Sequence, residues 1–395
     1  MKLPRSKNLA VHYLCLLAAA IVLLTQSPSA QGQTFTLLHS FTGAAADGAY
    51  PQAAPIRDAQ GDLYGAALGG SFGQGVIFKV SGAEQETVLY TFKGDPDGSV
   101  PDSISLRNSG HNLFGTTYEG GATPYGTVFN LDTQGRETVV YSFCPNIPCV
   151  TGAFPIGVIR DADTDNYYGT TISGGDFSCA LTGCGTVFEV NRKGVENVLH
   201  LFEGAGDGSM PNARLVRDEF GNIYGATTYG GAYGYGTLFR LSATGQETVI
   251  HSFSGAADGS EPYGGLHRDR EGNFYGTTSE GGEYNYGTVF KISPLGEYAV
   301  LHSFQGGAFG AYPYAGVITD GRGNIFGTTY QGGSDNDGTV FKLDVSGNLT
   351  VLHSFSGRKD GAYPYGVIKD SNGTLYGTTY QGGAYNQGTV YELVP

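Results

Sequence analysis

Short runs in which apolar and polar positions alternate fill the chain from residue 34 onward, and no stretch there keeps a helical apolar spacing for three turns. Residues 211–253 show the pattern clearly. Four strand-sized pieces, Asn212–Asp218, Ile223–Tyr229, Gly236–Leu241 and Glu247–Phe253, are separated by Glu219-Phe220-Gly221-Asn222, by Gly230-Gly231 with a Tyr-rich loop, and by a turn holding Gly245. Val, Ile, Thr, Tyr and Phe fill the pieces, whereas Gly, Asp and Asn punctuate them, as expected for strands joined by tight turns. The pattern predicts an all-β protein.

The same phrases recur. Tyr-Gly-Thr-Thr and its variants place their glycine at Gly65, Gly115, Gly169, Gly225, Gly276, Gly327 and Gly377. Gly-Thr-Val-Phe starts at Gly75, Gly126, Gly185, Gly236, Gly287, Gly338 and Gly388, and Leu-His-Ser-Phe ends at Phe41, Phe92, Phe143, Phe202, Phe253, Phe304 and Phe355. The period is about 51 residues, in the range of propellers and solenoids. Four antiparallel strands per unit, repeated seven times, predict a seven-bladed β-propeller over residues 34–395. The third phrase appears once before the first complete unit and is missing after the last. A ring needs that offset: Thr34–Phe41 becomes the outer strand of the blade whose other strands lie within residues 364–393, and the closure removes exposed edges. A β-solenoid is the competing architecture, but the period is long for one and no capping segment is visible.

Composition sharpens this picture. Glycine supplies 65 of 395 residues, placed where hairpins need positive φ and where strands crowd the axis. Trp is absent, so the Phe and Tyr of the three phrases must pack blade against blade. His39, His200, His251, His302 and His353 share one repeat position, which Tyr90 and Tyr141 fill elsewhere, and such recurrence marks scaffold rather than metal ligands or bases. His111 replaces a turn residue and is expected at the surface.

As a set, these phrases at this spacing resemble the bacterial exported family called GloVer tandem-repeat proteins. The resemblance covers nearly all of residues 34–395 and implies an extracellular repeat protein without assigned biochemical activity. Members of that family carry a choice of anchors. This chain shows no anchor after its last strand-like phrase, and the family offers no catalytic residues to transfer.

Residues 1–30 read as a secretory signal: Lys2, Arg5 and Lys7 precede the apolar run Leu14–Leu24, and small residues follow at Ser27, Ser29 and Ala30. Cys15 would leave with the leader. Its removal takes three of 22 basic residues and none of 36 acidic ones, leaving 19 against 36, near −17. That balance argues against nucleic acid or anionic lipid as partner. No second apolar stretch is long enough to span a membrane, so the expectation is a secreted or periplasmic monomer with no membrane insertion after cleavage. Four cysteines remain, Cys144, Cys149, Cys179 and Cys184, and in an exported chain they read as two disulfides with three pairings open. Cys144–Cys149 with Cys179–Cys184 would close two short loops. A zinc site is the competitor, disfavoured by export.

Loop lengths identify the variable face. From the glycine of Gly-Thr-Val-Phe to the phenylalanine of His-Ser-Phe is always 17 positions. The second-to-third-strand connection is extended where Cys179 and Cys184 lie, and the blade-to-blade connection where Cys144 and Cys149 lie. Both connections belong to one face of a propeller, and variable loops on a rigid scaffold are where binding is built. The second-to-third loops on that face offer Glu119 and Tyr125; Tyr229, Tyr233 and Tyr235; Glu280, Tyr284 and Tyr286; Gln331 and Asp335; and Gln381 and Tyr385. Tyrosine presents a flat apolar face with a hydroxyl, and nearby carboxylates or amides bridge sugar hydroxyls. An extracellular glycan or protein is the expected ligand, although the lack of Trp counts against a lectin. Packing of these tyrosines over neighbouring loops is the plainer alternative.

Catalysis finds less support. Asp58, Asp161, Asp218, Asp269, Asp320 and Asp370 recur near the first turn, all but Asp320 directly after Arg or Lys, where an Asp caps backbone. His267 is the singular histidine on such a strand. A hydrolase or lyase acting on carbohydrate or a lactone at the central channel is the alternative function, and no catalytic residue is assigned. Asp161-Ala-Asp163-Thr-Asp165-Asn166 begins like a calcium loop but lacks the sixth-place glycine, and Ile172 stands where a bidentate Glu belongs. No cofactor is expected, with calcium as the one candidate.

Overall fold

The computed structural model describes residues 33–82, 85–107, 112–179 and 182–395. The leader and His111 lie outside the described residues. Seven antiparallel sheets follow one another as blades. The last blade orders Ala362–Lys369 (β27), Leu375–Gln381 (β28), Thr389–Val394 (β29) and then Thr34–Ser40 (β1), so the N-terminal strand closes the ring. Thr34 sits opposite Val394 and Ser40 opposite Thr389.

Two phrases lock together within each blade. The glycine of Tyr-Gly-Thr-Thr lies directly opposite the aromatic of Gly-Thr-Val-Phe, for example Gly276 opposite Phe290. The ring folds over the glycine so closely that a Cβ at Gly276 would stand 2.5 Å from the Phe290 ring, and the same holds for Gly169 under Phe188 at 2.6 Å. The second Thr of one phrase meets the Thr of the other: the hydroxyls of Thr278 and Thr288 are 2.9 Å apart, as are those of Thr171 and Thr186. The first blade departs at both positions together, with Ala67 opposite Val76. A buried hydroxyl pair is thereby exchanged whole for an apolar pair, which leaves no orphaned polar atom.

The third phrase joins blade to blade. Its phenylalanine is fully buried in all seven units and packs against the aromatic of the next blade, edge-on in all but the tilted Phe253–Phe290 pair, with centroids 5.0 Å apart for Phe41–Phe78 and 5.2 Å for Phe304–Phe341. The histidine two residues earlier bonds an aspartate on the following turn: His200 to Asp207 at 2.9 Å and His251 to Asp258 at 3.1 Å. Where Phe309 replaces that aspartate, His302 Nε2 is buried without a partner.

A further seam device was not anticipated. The residue before the proline that opens each inner strand has positive φ in all seven blades: Tyr50, Val100, Phe154, Met210, Glu261, Tyr312 and Tyr363, between 52° and 59°. Each donates its N–H to the carbonyl before the Gly-Thr-Val-Phe glycine of the preceding blade, as in Tyr312 to Tyr286 at 3.0 Å. The following proline rests on that glycine, and a Cβ at Gly287 would meet Pro313 Cδ at 2.7 Å. A side-chain-bearing residue held left-handed costs on the order of 1 kcal/mol or more, offset here by the seam it completes.

The inner strands are shorter than the sequence pattern predicts. Of the expected Asn212–Asp218 strand only Val216–Arg217 (β15) pairs as strand, and the fifth and sixth blades keep only His267–Arg268 (β19) and Ile318–Thr319 (β23). Full inner strands occur in Ser99–Arg107 (β7), Ala153–Arg160 (β11) and β27. Near the axis the chains converge, and at Gly264 and Gly316 backbone of neighbouring blades takes the place a side chain would need: a Cβ at Gly316 would lie 2.3 Å from Gly265 O.

Both disulfides close locally, Cys144 with Cys149 and Cys179 with Cys184. The two stapled loops touch, since Gly175 N–H donates to Cys149 C=O at 2.9 Å.

Candidate functional site

The positions just after the strand-opening prolines converge on the axis. Gln52, Asp102, Ile156, Asn212, Tyr263, Tyr314 and Tyr365, one from each blade, line a central cavity of about 870 Å³. Tyr118 and Tyr330 add second-strand side chains to its wall. The ring is lopsided. Tyr263 meets Tyr314 with centroids 5.6 Å apart, Tyr314 meets Tyr330 at 5.2 Å, Tyr330 meets Tyr365 at 5.9 Å, Tyr365 meets Tyr380 at 6.2 Å, and Tyr380 meets Tyr50 at 5.2 Å. This aromatic arc runs from the fifth blade round to the first. Opposite it stand Ile156 and Asn212.

Burial pushes the Tyr263 hydroxyl well up, helped by Tyr229 and Glu261, and burial does the same at Tyr365. These phenols stay protonated and serve as donors and apolar faces. Glu261, beside Glu280, is also raised, first by burial and then by that neighbouring charge.

Two charged groups line the cavity itself, Asp102 and Arg214. Asp102 is half-buried in the cavity wall, and Arg214 is exposed to the channel. Burial lifts the Asp102 carboxyl to about 6, against the pull of the Gly157 N–H, the Ser103 hydroxyl and the Arg214 charge. The Arg214 guanidinium donates to Ser105 Oγ. His267 bonds Thr319 Oγ1 at 2.9 Å, and burial lowers its pKa.

The residues singled out from the loops fall into three groups. Tyr229 and Glu280 belong to the mouth of the cavity, next to Tyr263 and Tyr314. Glu119, Gln331 and Gln381 share their repeat position in other blades. Tyr125, Tyr235 and Tyr286 sit on the seams, where their carbonyls accept the blade-joining bonds; Tyr125 packs on Phe154 with centroids 5.5 Å apart and Tyr286 on Tyr312 at 5.6 Å. Tyr233, Tyr284, Tyr385 and Asp335 stand exposed on the outer rim, away from the arc. Sequence reasoning missed Tyr263, Tyr314 and Tyr365, although Tyr-Pro-Tyr at 312–314 and 363–365 is plain in the chain.

The acidic turns are engaged internally. Asp161 accepts from Asp163 N–H at 2.8 Å and from Arg217, and Asp165 pairs with Arg107 and Arg160. Asp218, Asp269, Asp320 and Asp370 cap their turns through backbone N–H groups, as Asp58 does. Among the described residues, His39, Asp47 and Glu86 bring a nitrogen and two carboxylates within 4.8 Å of one another, a spacing a cation could use. Asp47 already accepts from Thr42 N–H, Thr42 Oγ1, Gly48 N–H and His39, however, and the His–Asp pair recurs along the seams.

No curated protein matches the chain. Among solved structures it is similar to virginiamycin B lyase from Staphylococcus aureus, with a TM-score of 0.61, 12% identity, and 92% of this chain and 99% of that one covered. It is also similar to the extracellular domain of a putative hybrid two component system from B. thetaiotaomicron, with a TM-score of 0.55 and 11% identity over 91% of this chain and 39% of that one. A puromycin hydrolase shares the shape at a TM-score of 0.52 and 12% identity, over 84% of this chain and 50% of that one. At such identities the likeness is one of fold. The model of the Gloeobacter/Verrucomicrobia repeat matches residues 24–227 and 215–395, nearly the whole repeat array, and the chain belongs to that family.

Proposed function

We propose that this is an exported, monomeric propeller that binds extracellular carbohydrate at the tyrosine-lined mouth of its central channel. The observation that carries this reading is the run of Tyr263, Tyr314, Tyr330 and Tyr365 along one side of a cavity of about 870 Å³, continued beyond its lining by Tyr380 and Tyr50. Tyrosine faces stack on the apolar side of a sugar ring, and their hydroxyls, with Glu261 and Glu280 nearby, bond its polar edge. The two disulfide-stapled loops support an extracellular setting.

The test is retention of the leader-free protein on a panel of polysaccharides, with calcium and with chelator. Retention lost in Tyr263→Ala and Tyr314→Ala but kept in Tyr233→Ala and Tyr385→Ala supports the mouth; loss only in the rim variants moves the site outward. Retention on nothing sinks the proposal. A second reading, channel-borne hydrolysis or elimination, is favoured by one observation: Asp102 and Arg214 break the repeat inside the cavity. Propellers of this shape include a lyase and a hydrolase, so the fold accommodates it.

A further inference from the structure

Seven inner strands converge on the channel, and their repeat positions can be compared one by one. Just before the residue that faces the Tyr-Gly-Thr-Thr glycine stand Ala54, Ser103, Gly157, Gly265, Gly316 and Gly366, all uncharged, and in the fourth blade Arg214. One residue past the proline, Asp102 is the single charged member of its set. Six blades hold their inner strands without a cation, so the ring does not require one.

Arg214 has room made for it. Gly265 and Gly157 border it: a Cβ at Gly265 would lie 3.1 Å from Arg214 Cβ, and one at Gly157 would lie 3.9 Å from Arg214 Cγ. It is the one Lys or Arg among the residues lining the cavity. Among the described residues its one hydrogen bond goes to Ser105 Oγ, whereas a guanidinium offers five N–H donors in a planar fork that matches a carboxylate. The rest of the molecule would repel anions, with 36 acidic side chains against 22 basic ones. Arg214 is thus the fixed positive charge of the cavity; His267, the other basic side chain in its wall, is held below its usual pKa by burial.

We infer that the channel selects acidic saccharides, seating a uronate carboxylate on the Arg214 guanidinium while the tyrosine arc holds the sugar rings. This rests on the carbohydrate reading of the mouth and adds the ligand class. Asp102 then acts as a gate on charge. It faces Arg214, the Ser103 hydroxyl and the Gly157 N–H, with Tyr365 across the cavity, and it titrates near 6. Protonated, it leaves the Arg214 charge unopposed for a ligand; ionised, it competes with that ligand.

The experiment is calorimetric titration of the leader-free protein with trigalacturonate and trimannuronate, each against its methyl ester, at pH 5 and pH 8. The expected result is at least tenfold tighter binding of one acid than of its ester. The preference should be larger at pH 5 than at pH 8, abolished in Arg214→Gln and partly kept in Arg214→Lys. Acid and ester binding alike, with both lost in Tyr314→Ala, would overturn the acidic preference and leave the carbohydrate mouth standing. No binding of any of the four would remove both. Thermal midpoints of the two Arg214 variants, matched to the parent, keep misfolding from imitating either result.

Discussion

The seams between blades and the channel along the axis are built from the same seven units, yet they treat recurrence oppositely. At the seams every unit repeats its phenylalanine, its proline on glycine and its left-handed residue. Along the axis the residues one step past the same prolines run from Gln52 through Asp102 and Ile156 to Tyr365, with no common chemistry. Packing constraints are identical in each blade and select the same answer each time. A ligand is not seven-fold symmetric, so side chains that serve one are free to differ. Divergence within a repeat column is thus the better guide to function, and recurrence the better guide to stability.

The sharpest way to break this contrast is at the glycine under the ring. Gly276→Val drives a side chain into Phe290 and should cost about 3 kcal/mol or more, read as a drop in denaturation midpoint. Removing Cys144 and Cys149 together by Cys→Ser exchange should cost about 2 kcal/mol through loop entropy. Thr278→Ala takes one partner from the Thr288 hydroxyl, which keeps Tyr298, and the acceptor from the Thr288 N–H; it should cost about 1 kcal/mol, and adding Thr288→Val should recover part of that loss, because the first blade already runs on Ala67 and Val76. On the channel side, Asp102→Asn with Arg214→Gln should move stability by less than about 0.5 kcal/mol. A loss comparable to that at Gly276 would make the channel pair scaffold and erase the distinction.

A subtler prediction concerns pH. Burial, with Asp47 adding to it and His39 opposing, pushes Glu86 up to about 7, and burial with Asp97, against Lys93, does the same for Glu137. Both carboxyls have a buried oxygen without a hydrogen-bond partner, as do Glu196 and Glu247 at the same repeat position. The folded state therefore binds more protons than the unfolded one between the ordinary carboxyl range and pH 7, and stability falls as pH rises through that window. Glu86→Gln should raise the melting temperature at pH 8 and leave it nearly unchanged at pH 4, a difference read directly from paired thermal scans.

The ring, its closure and its three phrases were legible in the chain because Gly, Thr and Phe recur at fixed spacing and each has one geometric use. The site was less so. A repeat period gives distance along the chain but no radial coordinate, so Tyr235 on a seam, Tyr233 on the rim and Tyr229 at the mouth look alike within one seven-residue stretch. Arg214 carried a readable signal, as the one cation in a column of Ala, Ser and Gly, but its meaning depended on knowing that the column faces the axis. The shortened inner strands were not legible because crowding at the axis, set by all seven blades together, overrides the local strand pattern of residues such as Asn212–Leu215.

The strand Thr34–Ser40 finds its neighbour Thr389–Val394 across nearly the whole chain. During synthesis it is the first strand of the propeller to be made, and its partner is the last. Until that partner arrives the growing stack has two open ends, each with unpaired backbone able to recruit a second molecule. The final six-residue strand thus works as a latch, and the interval before it closes is when the protein is most exposed to misassembly.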